Sequence, residues 1–214
     1  PFAGLTEDGL PTFINQDGQK TISSFNFQEY EKLDFLKYEG PTDPTITGSF
    51  GNILTYKNLK LNVFVTYSFG NVIRLDPVFS NAYSDLDAMP KEFKNRWMKA
   101  GDENVTNIPT IVSTRMNQQY AYLNMAYNAY NYSDVRIADG GFIRLKEISL
   151  SYDLPAKVIN FFRLNKLQLK LQATNLCLLY ADSKLNGQDP EFFRSGGVST
   201  PVPKQFTFTV RLGL

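Results

Sequence analysis

Five segments of this 214-residue chain alternate apolar and polar residues for nine to twelve positions at a stretch. A period of two puts successive side chains on opposite faces of a pleated strand, so each segment is committed to β-structure with one apolar face. In Leu59 to Phe69 the residues Leu59, Leu61, Val63, Val65, Tyr67 and Phe69 share one parity, and Phe64 is the exception on the other. Lys166 to Asn175 sets Leu167, Leu169, Leu171 and Ala173 against Lys166, Gln168, Lys170, Gln172 and Thr174. Gln205 to Leu214 does the same with Phe206, Phe208, Val210, Leu212 and Leu214. Ile46 to Tyr56 and Phe142 to Tyr152 are noisier. The second changes parity near Lys146, as a β-bulge would make it do, or a strand twisting away from a membrane at its end.

Short and long connections alternate between these strands. Lys57-Asn58 reads as a tight hairpin turn, and about seventy residues follow the second strand, from Gly70 to Gly141. Asp153 to Asn165 joins the third strand to the fourth, with one or two helical turns expected from Pro155 to Phe162. Leu176 to Pro203 leads into the last strand.

Composition narrows the chemistry. With no histidine and one cysteine, Cys177, the chain has no Ser-His-Asp or Cys-His catalysis, no His-ligated metal, no internal disulfide and no four-thiolate zinc site. A net charge of +1 gives no electrostatic footprint for nucleic acid. No run of 18 apolar residues would serve as a membrane helix, but a lipid-facing strand is apolar only at every second residue. The chain opens on Pro1-Phe2-Ala3-Gly4 with no basic or apolar leader, so any targeting segment is expected to lie outside it.

Two architectures fit the pattern: a soluble β-sandwich with one wet face per sheet, and part of a transmembrane β-barrel. Strands near ten residues, rather than the usual five or six, favour the barrel. So do apolar faces that finish in aromatics (Tyr56, Tyr67, Phe69, Tyr152) and loops this long between short turns.

The order of several motifs adds a resemblance. Gly40-Pro41-Thr42-Asp43-Pro44 followed by Gly48-Ser49-Phe50-Gly51-Asn52, Arg96-Trp97 through Gly101-Asp102, and Ile108-Pro109 occur in sequence. Then come Ser133-Asp134 through Asp139-Gly140-Gly141-Phe142-Ile143-Arg144-Leu145-Lys146-Glu147-Ile148-Ser149-Leu150-Ser151-Tyr152, the run Leu167 to Leu176, Gly187-Gln188-Asp189-Pro190-Glu191, and Pro201 to Leu214. From Tyr38 to Leu214 the chain resembles the C-terminal part of SusC/RagA-family TonB-linked outer-membrane transporters. It departs from them in ending Arg211-Leu212-Gly213-Leu214 without a terminal Phe. Phe13 to Lys20 also lacks the acids that the family's calcium-like turn carries, with Phe13 in the first position and Ser24 in the twelfth, so a plain polar turn is expected there.

The resemblance implies an all-β fold: the last five antiparallel strands of a barrel of about 22, with long extracellular loops. Residues 1–45 would be an extracellular segment leading into the barrel. Residues 46–214 would be barrel strands with outer loops 70–141 and 176–203. It implies a bacterial outer-membrane importer of glycans, peptides or similar oligomers. Its partners would be the rest of the barrel and its plug, a SusD-like surface lipoprotein, the TonB complex through an absent N-terminal part, and lipid. No enzyme activity, cofactor or nucleic-acid partner is expected. A non-transporting structural barrel and a soluble carbohydrate-binding sandwich stay open as alternatives.

Lipid contact is expected at Leu61, Val63, Val65, Tyr67, Leu167, Leu169, Leu171, Phe206, Phe208, Val210 and Leu212. Arg144, Lys146, Lys166, Lys170 and Arg211 take the interior parity. Ligand or partner contact is expected in the Tyr/Asn-rich stretch, at Tyr120, Tyr122, Tyr127, Asn128, Tyr130, Asn131 and Tyr132, because rings stack and amides both donate and accept. An outer loop folding over its own barrel is the alternative there. Asp182, Asn186, Asp189 and Glu191 gather acceptors without the spacing of a cation loop, so a solvated loop is expected, and Cys177 reads as a small apolar filler.

Overall fold

The chain divides its residues between two units, one of residues 1–40 and 74–138, the other of residues 41–73 and 139–214. The expected break at residue 45 set 1–45 apart as a loop, whereas residues 1–40 cluster with 74–138. The computed structural model describes residues 1–26, 31, 33, 35–79, 89–161, 164–193 and 201–213.

In the first unit, β1 (Phe2–Leu5), β2 (Pro11–Ile14) and β3 (Lys20–Thr21) form an antiparallel meander in that order. Asn15 closes the β2–β3 turn, its Oδ1 accepting from the amides of Asp17 and Gln19 at 3.0 and 2.8 Å. That is an Asx turn, the polar turn expected of this stretch. Between β1 and β2, Gly9 sits at φ +75°, and a Cβ there would stand 2.4 Å from the Trp97 ring, so no side chain fits.

Two helices complete this unit. Ser113 caps α1 (Thr114–Gln119), its Oγ accepting from the Met116 amide at 3.2 Å. In α2 (Leu123–Asn131) the buried Leu123, Ala126, Tyr127 and Tyr130 repeat at helical spacing, a stripe that faces the core. They pack with Leu10, Phe13, Val78 and Phe79. Phe79 stands edge-on to Tyr127 at 4.8 Å and to Tyr130 at 5.8 Å, the arrangement that aromatic quadrupoles favour. Beside this core the buried Arg136 pairs with Glu92 at 2.7 Å and donates to the Asp76 carbonyl at 2.6 Å. The unit is therefore mixed α and β, where an all-β chain was expected. Tyr and Asn are weak helix formers, and the packing of one apolar stripe overrides them.

The second unit is built on long strands. β4 (Ile46–Tyr56) and β5 (Leu59–Phe69) pair across Lys57-Asn58, with Lys57 at φ 52°. The chain leaves through β6 (Val72–Arg74) and returns through β7 (Ile137–Asp139). It then adds β8 (Phe142–Asp153), β9 (Lys166–Ala181) and β10 (Gln205–Gly213). The five long strands form one antiparallel sheet of order β10-β9-β8-β5-β4. α3 (Ala156–Phe161) follows Pro155 between β8 and β9, where helical turns were expected. Phe162 and the terminal Leu214 lie outside the described residues.

The parity switch near Lys146 is a bulge. Phe64 pairs with Glu147 and Val65 with Leu145, so Lys146 has no rung of its own. Ile143 and Leu145 thereby join Ile148, Leu150 and Tyr152 on one face. β9 answers with two irregularities of its own, between its pairings with Ile143 and Arg144 and between those with Leu145 and Glu147. Asn175, at φ 54°, lies within the second. These carry the strand on to Ala181, past the expected end at Asn175.

Candidate functional site

One face of the five-stranded sheet is apolar from edge to edge. Across the rungs, Leu54, Leu61, Leu150, Leu171 and Phe208 form one row, and Tyr56, Leu59, Tyr152, Leu169 and Val210 form another. The register puts all eleven residues expected to contact lipid on this face. Tyr67 lies over Gly48, where a Cβ would meet its hydroxyl at 2.5 Å, and stacks on Phe69 with centroids 6.0 Å apart. Cys177 opposes Leu145 on the same face and is exposed, so it does not fill a core as expected.

Burial on this sheet is inverted relative to a soluble protein. Leu54, Leu171, Phe208 and Leu212 on the apolar face are each 58–61 % exposed and Phe206 is 77 % exposed. On the opposite face Ser68, Arg144, Ser149 and Gln168 are buried. A contiguous apolar patch of this size is foreign to a soluble surface and belongs against another apolar phase.

The buried face is a polar network. Asn62 donates to Glu147 at 3.2 Å, and Lys170 approaches the same carboxylate at 3.9 Å. Gln168 donates to Asp153 at 2.8 Å, with Lys60 3.9 Å away from that carboxylate. Arg144 bonds both oxygens of Asp189 and lies 3.1 Å from Glu191. Asp189 also accepts from the Glu191 amide at 3.1 Å, capping the short turn at Pro190–Phe192. Asp189 is thus a buried partner of Arg144 and not part of the solvated loop expected there. Among the described residues, no group of His, Cys, Asp and Glu could hold a metal ion. Lys166 and Arg211 lie on this polar face by register. Lys146, from the bulge, lines a hollow of about 700 Å³ together with Thr47, Thr66, Phe142 and Glu191.

In the first unit the Tyr/Asn-rich stretch divides. Tyr130 is 1 % exposed and lies wholly in the core, so it cannot contact a ligand. Burial pushes its phenol up to about 12, moderated by Arg136. Asn131 is a clamp: its Oδ1 accepts from the amides of Val78 and Phe79 at 3.0 and 3.3 Å, and its Nδ2 donates to the Phe79 carbonyl at 2.8 Å. Tyr127 is buried and donates to the Thr110 carbonyl at 2.6 Å. These three were expected to meet ligand, but their polar atoms serve the fold. Tyr120 reaches Asp8 at 3.4 Å, and Tyr122 is exposed at the start of α2 with φ 64°.

Asn128 and Tyr132 border a cleft of about 420 Å³, together with Phe79, Val112, Asn117 and Asn124. Asn117 and Asn124 were not singled out from the sequence, although Asn124, Asn128 and Asn131 recur at i, i+4 and i+7, the spacing of one helical face. No described helix is long and apolar enough to cross a membrane.

No family model matches the chain. Over 190 residues, 89 % of its length, it is 26 % identical to the TonB-dependent receptor P3 of Formosa agariphila, of which it spans 16 %. The RagAB peptide importer in its "open-open" state superposes on all of this chain with a TM-score of 0.64 at 20 % identity. The RagAB peptide transporter does so over 99 % of it, with a TM-score of 0.64 at 22 % identity. This chain covers 22 % of each of those structures. The resemblance read from the motifs therefore holds in sequence and in fold, with an antiparallel sheet like a portion of the importer. The matched proteins are a receptor and an importer, not enzymes, in keeping with a sequence that holds no catalytic set.

Proposed function

We propose that these residues form wall and outer loops of a TonB-dependent outer-membrane importer of SusC/RagA type, taking up glycans, peptides or similar oligomers. The observation that carries this reading is the inverted sheet, with apolar residues exposed on one face and an ion-paired network on the other. Eleven-residue strands such as β4 and β5 are about 37 Å long at ~3.4 Å per residue, enough to cross a ~25 Å apolar band at a tilt of ~35–45°. β4 and β10 each pair on one side only among the described residues. In lipid an open edge leaves backbone groups unsatisfied at several kcal/mol each, so further strands of a barrel of about 22 would close it.

Outer loops within 70–141 and 176–203, and residues 1–45, would face the medium and a SusD-like lipoprotein that captures substrate. A plug elsewhere in the polypeptide would couple to the TonB complex. The test is expression of the full-length gene, with fractionation, heat-modifiable electrophoretic mobility and TonB-dependent uptake of labelled oligomers. Insertion together with energy-dependent uptake is expected. Insertion without uptake would replace the importer with a structural barrel. The 214-residue chain folding in buffer without detergent would replace it with a soluble sandwich.

A further inference from the structure

We propose that the short-turn end of the five-stranded sheet binds anionic phospholipid, with the phosphate headgroup held by Lys57 and Lys157. This rests on the importer reading and deepens it, by giving one rim of the lipid-facing sheet a preferred lipid. The rim is tied together by its backbone. The Asn58 carbonyl accepts from the Asp153 amide at 2.9 Å, and the Asn58 side chain donates to the Asp153 carbonyl at 2.8 Å. Leu154 donates to the Leu167 carbonyl at 2.9 Å, and Asn165 to that of Gly213 at 2.8 Å. The Lys57-Asn58 turn and the connection that carries α3 are thus held together at one end of the sheet.

Charge at this end is one-sided. Lys57, Lys60, Lys157, Lys166 and Arg211 stand there against a single described acid, Asp153, which Lys60 approaches at 3.9 Å. Lys57 and Lys157 are exposed and hold no ion pair among the described residues. At the opposite end of the strands acids and bases are interspersed: Asp182 accepts from the Lys184 amide, and Arg144 bonds Asp189. The apolar face runs up to the basic rim and finishes in aromatics. Tyr56 is 70 % exposed and Phe161, in α3, 80 %. Aromatic rings collect where hydrocarbon gives way to headgroups. The Lys57 ammonium lies 5.3 Å from the Tyr56 ring centroid, which sets a cation at that level. A lysine so placed lays its stem along apolar surface and its head among phosphates. Charge then selects the lipid. Phosphatidylcholine brings a cation of its own beside its phosphate, whereas phosphatidylglycerol is net negative, which strengthens binding about fivefold per lysine at a membrane surface.

The test is photocrosslinking in the full-length protein, with p-benzoylphenylalanine in place of Tyr152, which lies on the apolar face opposite Leu59. The protein is reconstituted in vesicles of two parts dioleoylphosphatidylcholine to one of dioleoylphosphatidylglycerol, and the adducts are identified by mass spectrometry. Phosphatidylglycerol should be enriched about fivefold over its share of the bilayer. Lys57→Gln together with Lys157→Gln should return it to that share while lipid adducts persist. Lys99→Gln, the same loss of charge in the first unit, should change nothing. Adducts in the bulk ratio, enrichment that survives the paired substitution, or adducts to protein in place of lipid would overturn the assignment. The ratio with native lysines needs no charge variant, so a variant that misfolds does not blunt the test. Heat-modifiable mobility is scored on the same sample. Inserted protein without enrichment sinks this inference alone, whereas protein that never inserts sinks the importer reading.

Discussion

Arg144 holds both carboxylate oxygens of Asp189, at 2.5 and 2.6 Å, with each side chain more than nine-tenths buried. The pair ties the turn at Pro190–Phe192 to the polar face of β8. Removing one partner strands the other charge. Arg144→Ala or Asp189→Ala should each cost about 3–5 kcal/mol, and the two together considerably less than their sum. Thermal unfolding of the four species in detergent, as a double-mutant cycle, measures the coupling; additive losses would show that the contact contributes nothing.

The two faces of β9 should respond oppositely to charge. Leu171→Arg, on the apolar face, should cost about 2–4 kcal/mol and lower the inserted fraction, while Gln172→Arg on the polar face is tolerated. Outer-membrane yield and heat-modifiable mobility report both. A soluble sandwich would show no insertion to lose.

Asn131 should matter as much as a core residue. Asn131→Ala leaves the amides of Val78 and Phe79 and the Phe79 carbonyl without their partner, a loss of about 1–3 kcal/mol. Faster limited proteolysis next to Phe79, with the strands of the second unit unaffected, is the expected reading.

Tyr130 sets an alkaline limit on the first unit. Its phenol is pushed up to about 12 by burial, against an ordinary value of 10. The folded state thus holds the proton more tightly than the unfolded state. That stabilisation is complete below pH ~10 and is lost as pH rises through ~12, on the order of 2–3 kcal/mol. Unfolding monitored between pH 9 and 12 should show this slope in wild type, and Tyr130→Phe should flatten it.

What the sequence disclosed was whatever kept a strict period. β5 lies where its alternation places it, because every second residue on one face is apolar, and β4, with Gly48 and Asn52 on that face, follows through its uninterrupted pairing with β5. β9 outran its expected end because Asn175, at φ 54°, breaks the alternation while the strand goes on. The first unit was illegible for another reason. Its strands are two to four residues long, too short for a period to show. Its core joins Leu10, Phe79 and Tyr130, which are far apart in the chain. The stripe Leu123, Ala126, Tyr127 and Tyr130 was there to be read, but tyrosine and asparagine around it pointed to ligand contact. Of the expected contact residues, Asn128 and Tyr132 border the cleft with exposed groups, Tyr127 and Asn131 line it with polar atoms already bonded to backbone, and Tyr130 lies in the core outside its lining.

The extra residue at Lys146 decides the fate of a charge two positions away. Counted back from Ile148 without interruption, Arg144 has the parity of Ile148, Leu150 and Tyr152, and its guanidinium would emerge among the exposed leucines. With Lys146 taken out of the ladder, the same arginine opposes Thr66 and turns toward Asp189. Deleting Lys146 would leave every side chain on its present face, whereas giving it a rung of its own would reverse the polarity of the first third of β8, sending Ile143 and Leu145 to the polar face and an arginine to the apolar one. The strand's sidedness rests on a residue held out of the ladder.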